Sequence, residues 1–208
     1  MTDKQPDKGS PPPSLETILD DCWADLVRGK ADRKHAYHLP VIATVDPDGL
    51  PAARTVVLRA ADRDAGELRF HTDARSPKLK HLGARPTVLW HFYDKGSKRQ
   101  LRVRSIATIH TDDALADEAW ANTRLMSRRC YLAPAPPSTE SDTPTPNLPT
   151  EFESRDPTKE ESEAGRANFA VVTTRVDEID WLWLRHQGHL RARFTRTDGG
   201  YTSTWLEP

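Results

Sequence analysis

Residues 41–59 read VIATVDPDGLPAARTVVLR. A β-branched run, VIATV, is followed by DPDG at 46–49, where Pro and Gly supply the dihedral angles of a tight turn. A second run, AARTVVLR at 52–59, then returns, and the two runs read as a β-hairpin. A chain that begins its core with a hairpin commits to antiparallel pairing, because parallel strands need a long crossover between them. Moving outward, LRFHT at 68–72 forms a third strand after a turn around Asp64–Gly66. Residues 76–83 suit a short helix, with Ser76 as cap and Pro77 at its first position. A second hairpin follows, TVLWHFY at 87–93 and QLRVRSIATIH at 100–110, joined across DKGSKR. In its long arm Leu101, Val103, Ala107 and Ile109 share one face, and Gln100, Arg102, Arg104, Thr108 and His110 share the other.

The flanks complete the pattern. Residues 1–13 are polar and Pro-rich, with nothing to bury, and are expected to be disordered. Ser14 caps a helix in which Leu15, Ile18, Leu19, Cys22, Trp23, Leu26 and Val27 recur at helical spacing, and Gly29 ends it. Residues 112–129 read as one or two short helices. Residues 134–165 are rich in Pro, Ser, Thr and Glu without a period and read as a flexible loop, long for a compact domain. Strands are expected at 167–176, 190–195 and 201–206, with the aromatic piece DEIDWLWLRHQG packed beside the sheet. Six or more strands separated by tight turns, with few helices between them, predict a mainly β fold: an antiparallel sheet curled into a barrel with flanking helices.

Composition excludes several classes of function. The chain has 208 residues, enough for one ordinary domain, and 30 basic residues balance 31 acidic ones. That leaves no net field to draw it to nucleic acid or to an anionic membrane. No apolar run approaches the roughly 20 residues that span a bilayer. Cys22 and Cys130 are too far apart in sequence for a metal motif, and together with the absence of a signal peptide they point to a reducing cytoplasm. The eight histidines show no HExxH spacing, so no metal site is expected. Neither a GxSxG elbow nor a Gly-rich phosphate loop is present.

What remains is a cluster of donors. The segment HTDARSPK, residues 71–78, holds Thr72, Arg75, Ser76 and Lys78 at a strand end and a helix start, and Arg54 lies on a neighbouring strand. A phosphate needs such a convergence of hydroxyls, cations and helix-start amides. A basic helix start opposes the helix dipole unless an anion is present. The competing reading is a solvated strand edge, and spacing alone leaves the two open. Arg54 and Arg59 are five residues apart, so an ideal strand points them to opposite faces. Arg124, Arg128 and Arg129 on the later helix fit either a ligand site or a basic surface.

The order of these motifs resembles a known family. ATVDPDGLPAARTVVLR, LRFHTDARSPK, KRQLRVRSIATI and DEIDWLWLRHQGHLRARF, ending in WLEP, are similar to the pyridoxamine 5′-phosphate oxidase family, in a branch of FMN-binding proteins related to that oxidase. The resemblance implies a split β-barrel over residues 14–208, a homodimer, and FMN at the subunit interface. It implies an FMN-dependent oxidoreductase in which hydride passes through flavin N5, with pyridoxamine or pyridoxine 5′-phosphate as the candidate substrate. The alternative is a flavin-binding protein without turnover, a carrier, sensor or store.

The resemblance also assigns residues. Arg54 opens the family's R-x-V-L-L-K strand and is expected on the FMN phosphate. Thr55, Val56, Val57 and Leu58 continue along the cofactor, and Arg59 replaces the closing Lys that meets flavin and substrate. His71 and Thr72 stand for a Tyr-Thr pair, and Ser76 and Lys78 for the phosphate clamp. Pro77 occupies the clamp's Arg position, which leaves Arg75 as the candidate replacement. Gln100, Trp183 and Arg193 are expected on the ring system, and Arg124 and Arg191 beside Arg59 on the substrate. In place of the family's Arg-Leu-His-Asp-Arg the chain has His189-Leu190-Arg191-Ala192-Arg193. No catalytic acid or base is assigned.

Overall fold

The computed structural model describes residues 13–208, so the tail expected to be disordered lies, but for Pro13, outside them. The helix α1 (Leu15–Ala31) begins at Ser14, whose hydroxyl accepts from the Thr17 amide at 3.1 Å. It buries Ile18, Cys22, Trp23 and Leu26, and each such large apolar side chain contributes about 1.5–3 kcal/mol. Gly29 is where α1 meets the 3-10 turn at 36–38. A Cβ there would stand 2.8 Å from the Tyr37 Cβ. The helix runs two residues past that glycine, because close approach to Tyr37, not chain reversal, is what position 29 requires.

Nine strands follow: β1 (Val41–Val45), β2 (Pro51–Thr55), β3 (Ala60–Asp62), β4 (Glu67–Asp73), β5 (Thr87–Asp94), β6 (Arg99–His110), β7 (Phe169–Trp183), β8 (Leu190–Thr197) and β9 (Gly200–Leu206). All pairings are antiparallel, and the main path runs β2-β1-β5-β6-β7-β4-β3, with β8 on β7 and β9 on β8. The expected return strand at 52–59 is shorter than its apolar run. β2 pairs with β1 only to Thr55, and β3 pairs with β4 at the far end of the path. Residues 56–59 cross between the two ends. The Val56 and Leu58 amides donate to the carbonyls of Pro40 and His38 at 2.9 and 3.0 Å, and the Arg59 amide donates to Arg69 at 2.8 Å. This bridge curls the sheet without a closing ladder, and the result is a split barrel.

β7 is longer than the sequence pattern suggests, because DEIDWLW continues it rather than packing beside it. Arg104 pairs with Glu178 and Ser105 with Val176, leaving Asp177 as a bulge. The extra residue twists the strand and lets it exchange neighbours, from β4 at 169–175 to β8 at 178–183. The first half of β7 is buried on both faces. Ala170 and Val172 enter the barrel core with Trp90, Phe70 and Leu58. Phe169 and Val171 face a second cluster with Trp120 and Tyr131. That outer cover comes from α3 (Ala114–Ala121), α4 (Leu125–Arg128) and the turn at 129–132. Of the residues read as a flexible loop, 150–152 and 163–168 form 3-10 turns and 159–162 a short helix, α5. The remaining helix, α2 (Pro77–Ala84), follows β4. Among the described residues no helix is long and apolar enough to cross a membrane, and no cluster of His, Cys, Asp and Glu could hold a metal.

Candidate functional site

Strand parity sorts the expected residues into two groups. On β4, Leu68, Phe70 and Thr72 are buried toward the barrel, whereas Arg69 and His71 point to the other face. On the inner side the Lys78 ammonium donates to the Thr72 hydroxyl at 2.8 Å and to the Ser76 hydroxyl at 2.6 Å. Ser76 stands at the start of α2 and its side chain makes no capping bond to the helix; Pro77 has no N–H and the Leu79 amide donates to the Ser76 carbonyl at 3.0 Å. Lys78 titrates well below an ordinary lysine, at about 8, because burial and then the nearby Arg54 charge disfavour its ammonium. Arg54 is itself pushed down by burial. Its guanidinium donates to the Thr44 hydroxyl at 2.6 Å and to the Ala52 carbonyl at 3.0 Å. Two half-buried cations near each other, beside two hydroxyls and a helix start, suit a phosphate, which would relieve their repulsion.

Arg75 is engaged elsewhere. It donates twice to Asp73, at 3.0 Å from Nε and 2.7 Å from Nη2, and to the Ala133 carbonyl at 2.9 Å. It therefore fastens β4 to the start of the long loop and leaves the Lys78 cluster without a third cation from this segment.

On the outer side of β4 lies a cavity of about 530 Å³. Leu58, Arg59, Arg69 and His71 form one part of its lining; Asn122, Thr123 and Arg124 come from the connection between α3 and α4, and Ser127 from α4. The ring of His71 packs edge-on against Phe169 at 4.9 Å. Burial, followed by the charges of Arg59 and Arg69, lowers its pKa to about 3. His71 is therefore neutral near pH 7 and presents a flat, uncharged ring to the cavity. Arg59 and Arg124, expected on substrate, share this cavity. Arg128, next in sequence to the cavity-lining Ser127, is nearly fully buried and serves the fold. It donates to the Trp120 carbonyl at 2.7 Å and to Glu163 at 2.8 Å, with its guanidinium over the Trp120 ring at 4.5 Å.

Gln100, Arg191 and Arg193 share one face of β6–β7–β8, and Trp183 lies on the opposite face, packed against the barrel core. The amide oxygen of Gln100 accepts from His91 Nε2 at 3.0 Å. Trp183 lies between Arg99 and Arg185, whose guanidinium carbons stand 5.5 and 5.1 Å from its ring. Arg191 donates to Asp180 at 3.1 and 2.7 Å, and Arg193 approaches Glu178 at 4.0 Å. Thr55 is exposed, Val57 is half-buried, and Val56 and Leu58 belong to the core. Sequence reasoning missed Thr44, which orients Arg54 and lies 3.1 Å from His81 Nδ1. It also missed Lys30, Arg33, His38 and Glu118 on the cavity lining. Nothing in local spacing marks these, since they meet only through the fold.

Comparison with known proteins agrees with this fold. The family model described as "Pyridoxamine 5′-phosphate oxidase, FMN-binding domain" matches residues 20–111. A pyridoxine/pyridoxamine 5′-phosphate oxidase of Sphingopyxis alaskensis is 28% identical over 199 residues, covering 91% of this chain and 86% of that protein. The Azorhizobium caulinodans enzyme of the same name is 42% identical over 87 residues, which are 42% of this chain; the matched part spans only 40% of that relative's length. A solved pyridoxamine 5′-phosphate oxidase-related, FMN-binding protein of Nostoc punctiforme superposes with a TM-score of 0.67 at 23% identity, over 96% of this chain and all of that one. The open antiparallel barrel, the motif order along β1–β6 and a relative aligned over nearly the whole chain agree: the chain is similar to the pyridoxamine 5′-phosphate oxidase family and has the fold of its FMN-binding split barrels.

Proposed function

We propose that the protein is an FMN-dependent oxidoreductase acting on a small anionic substrate. The observation that carries this is the cradle of Lys78, Thr72, Ser76 and Arg54, which offers two cations and two hydroxyls to one phosphate. FMN, when bound, supplies a two-electron acceptor at N5. The chain's own part is to bind and orient. Thr44 fixes the Arg54 guanidinium, and the bridge at 56–59 leads from the cradle to Arg59 at the cavity. Arg59 and Arg124 then hold the anionic group of the substrate, with pyridoxamine or pyridoxine 5′-phosphate as the first candidate. The neutral His71 lines the cavity beside them without carrying a charge.

Of the residues expected on the ring system, Gln100 and Arg193 share a face of β6–β7–β8 and Trp183 lies on the opposite one; none of the three lines the cavity of the same chain. A homodimer in which one subunit's C-terminal strands reach the partner's cradle reconciles that separation with the family resemblance. The exposed Leu89 and Tyr93 on the neighbouring strand offer apolar area for such a contact. The test is the absorption spectrum of the purified protein, then aerobic turnover of the two B6 phosphates with FMN bound. Formation of pyridoxal phosphate is expected. A fully flavin-loaded protein with no turnover would support the second reading, a flavin carrier or sensor. That reading is motivated by Arg191, which is bound to Asp180 where the oxidase motif has a histidine.

A further inference from the structure

The charge of the cavity exceeds what one phosphate needs. Its lining includes Lys30, Arg33, Arg59, Arg69 and Arg124 against a single carboxylate, Glu118. Among the described residues, none of Lys30, Arg33, Arg59 and Arg124 is in an ion pair. Arg69 reaches Glu67 through Nη2 at 3.3 Å, but its Nε is buried without a partner. Unpaired cations crowded into a concavity repel one another, and field lines focus there. Such an arrangement is stable when anions complete it.

The cations come from two places. Arg59, Arg69 and Arg124 belong to the bridge, β4 and the start of α4. Lys30 and Arg33 belong to the end of α1 and the turn after it. Lys30, in the last turn of α1, also complements that helix end, but Arg33 lies beyond it. The α1 end is held firmly. Gly29 packs against Tyr37 with no room for a Cβ, and His38 Nδ1 lies 2.8 Å from the Gly29 carbonyl. Leu58 and the neutral His71 supply flat, weakly polar lining to the same cavity. A cavity of about 530 Å³ is in the size range of a small organic ligand and is larger than a phosphate ion requires.

We propose that Lys30 and Arg33 form a second anion subsite, so that the preferred ligand is a flat molecule with two separated anionic groups, one on Arg59 and Arg124 and the other on Lys30 and Arg33. The proposal rests on the cavity being the substrate site. It makes the α1 end a specificity determinant that sorts doubly anionic molecules from singly anionic ones.

The test is calorimetric titration of the FMN-loaded protein at low ionic strength with phenyl phosphate and with 4-carboxyphenyl phosphate. The second is expected to bind about tenfold tighter, the gain of one charge-assisted contact. Lys30→Gln/Arg33→Gln is expected to erase that preference while leaving phenyl phosphate affinity unchanged, and Arg59→Gln/Arg124→Gln is expected to weaken both. Equal affinities in the wild type, a preference that survives in Lys30→Gln/Arg33→Gln, or release of FMN by either probe would overturn the proposal. Failure to take up FMN counts against the flavin reading alone, and the same titrations on flavin-free protein then decide the subsite.

Discussion

Lys78 and His71 sit on the two sides of β4, and their opposite environments give separate pH signatures. Lys78 titrates at about 8 and His71 at about 3. FMN phosphate is fully ionised above pH about 7.5, so any loss of affinity above that pH reports on the protein. Phosphate binds protonated Lys78, and FMN affinity is expected to fall as pH rises through 8, with proton uptake on binding. Lys78→Arg keeps its charge and should flatten the profile; a fluorescence titration between pH 7 and 9.5 measures both. For His71 the folded pKa lies below the unfolded 6.5. The unfolded chain alone takes up the proton between those values, so stability present above pH 6.5 is lost as pH falls toward 3. Thermal melts of flavin-free protein should show His71→Phe losing less stability over that window than wild type. Arg54→Ala should weaken FMN binding by about 1.5–3 kcal/mol, the range for a hydrogen-bonded charge. An unchanged dissociation constant would remove Arg54 from the cradle. The sequence made the cradle residues legible because four of them fall between 71 and 78 or on the adjoining hairpin. It hid Arg75's role, since the partner carbonyl of Ala133 is remote in sequence.

At the level of elements, the clasp and the helix seat are testable by substitutions that should leave the cradle alone. Arg75→Ala removes bonds to Asp73 and Ala133 and is expected to cost about 1–2 kcal/mol of stability. It should also speed proteolysis within 134–149, and it should change FMN affinity far less than Arg54→Ala. A large loss of FMN affinity in Arg75→Ala would return that residue to the phosphate clamp. Gly29→Ala should destabilise by about 1–3 kcal/mol through overpacking against Tyr37, read as a lowered denaturant midpoint. The hairpins β1–β2 and β5–β6 were legible, because DPDG and DKGSKR are turn chemistry between alternating runs. The break after Thr55 was not. TVVLR has continuous strand propensity, and only pairing with opposite ends of the sheet divides it. The length of β7 was equally hidden. Its first half is buried on both faces and loses alternation, and the Asp177 bulge then shifts the phase of the second half.

For the whole molecule, the proposed dimer predicts a sedimentation mass twice that of the 23.4 kDa chain. It also predicts that Trp183→Ala weakens FMN binding although Trp183 touches neither cradle nor cavity in its own chain. A monomer with full FMN affinity would refute that arrangement. β7 has a further consequence, in time. Until it forms, the chain holds a β2-β1-β5-β6 sheet and a separate β3–β4 hairpin, joined only through residues 56–59. During synthesis β4 and β6 each wait with one open edge until residues 169–175 emerge, and an open edge invites pairing with other chains. The vulnerable interval is set by how long the ribosome takes to pass from β6 to β7, and its cost would appear as aggregation of nascent chains stalled before residue 169.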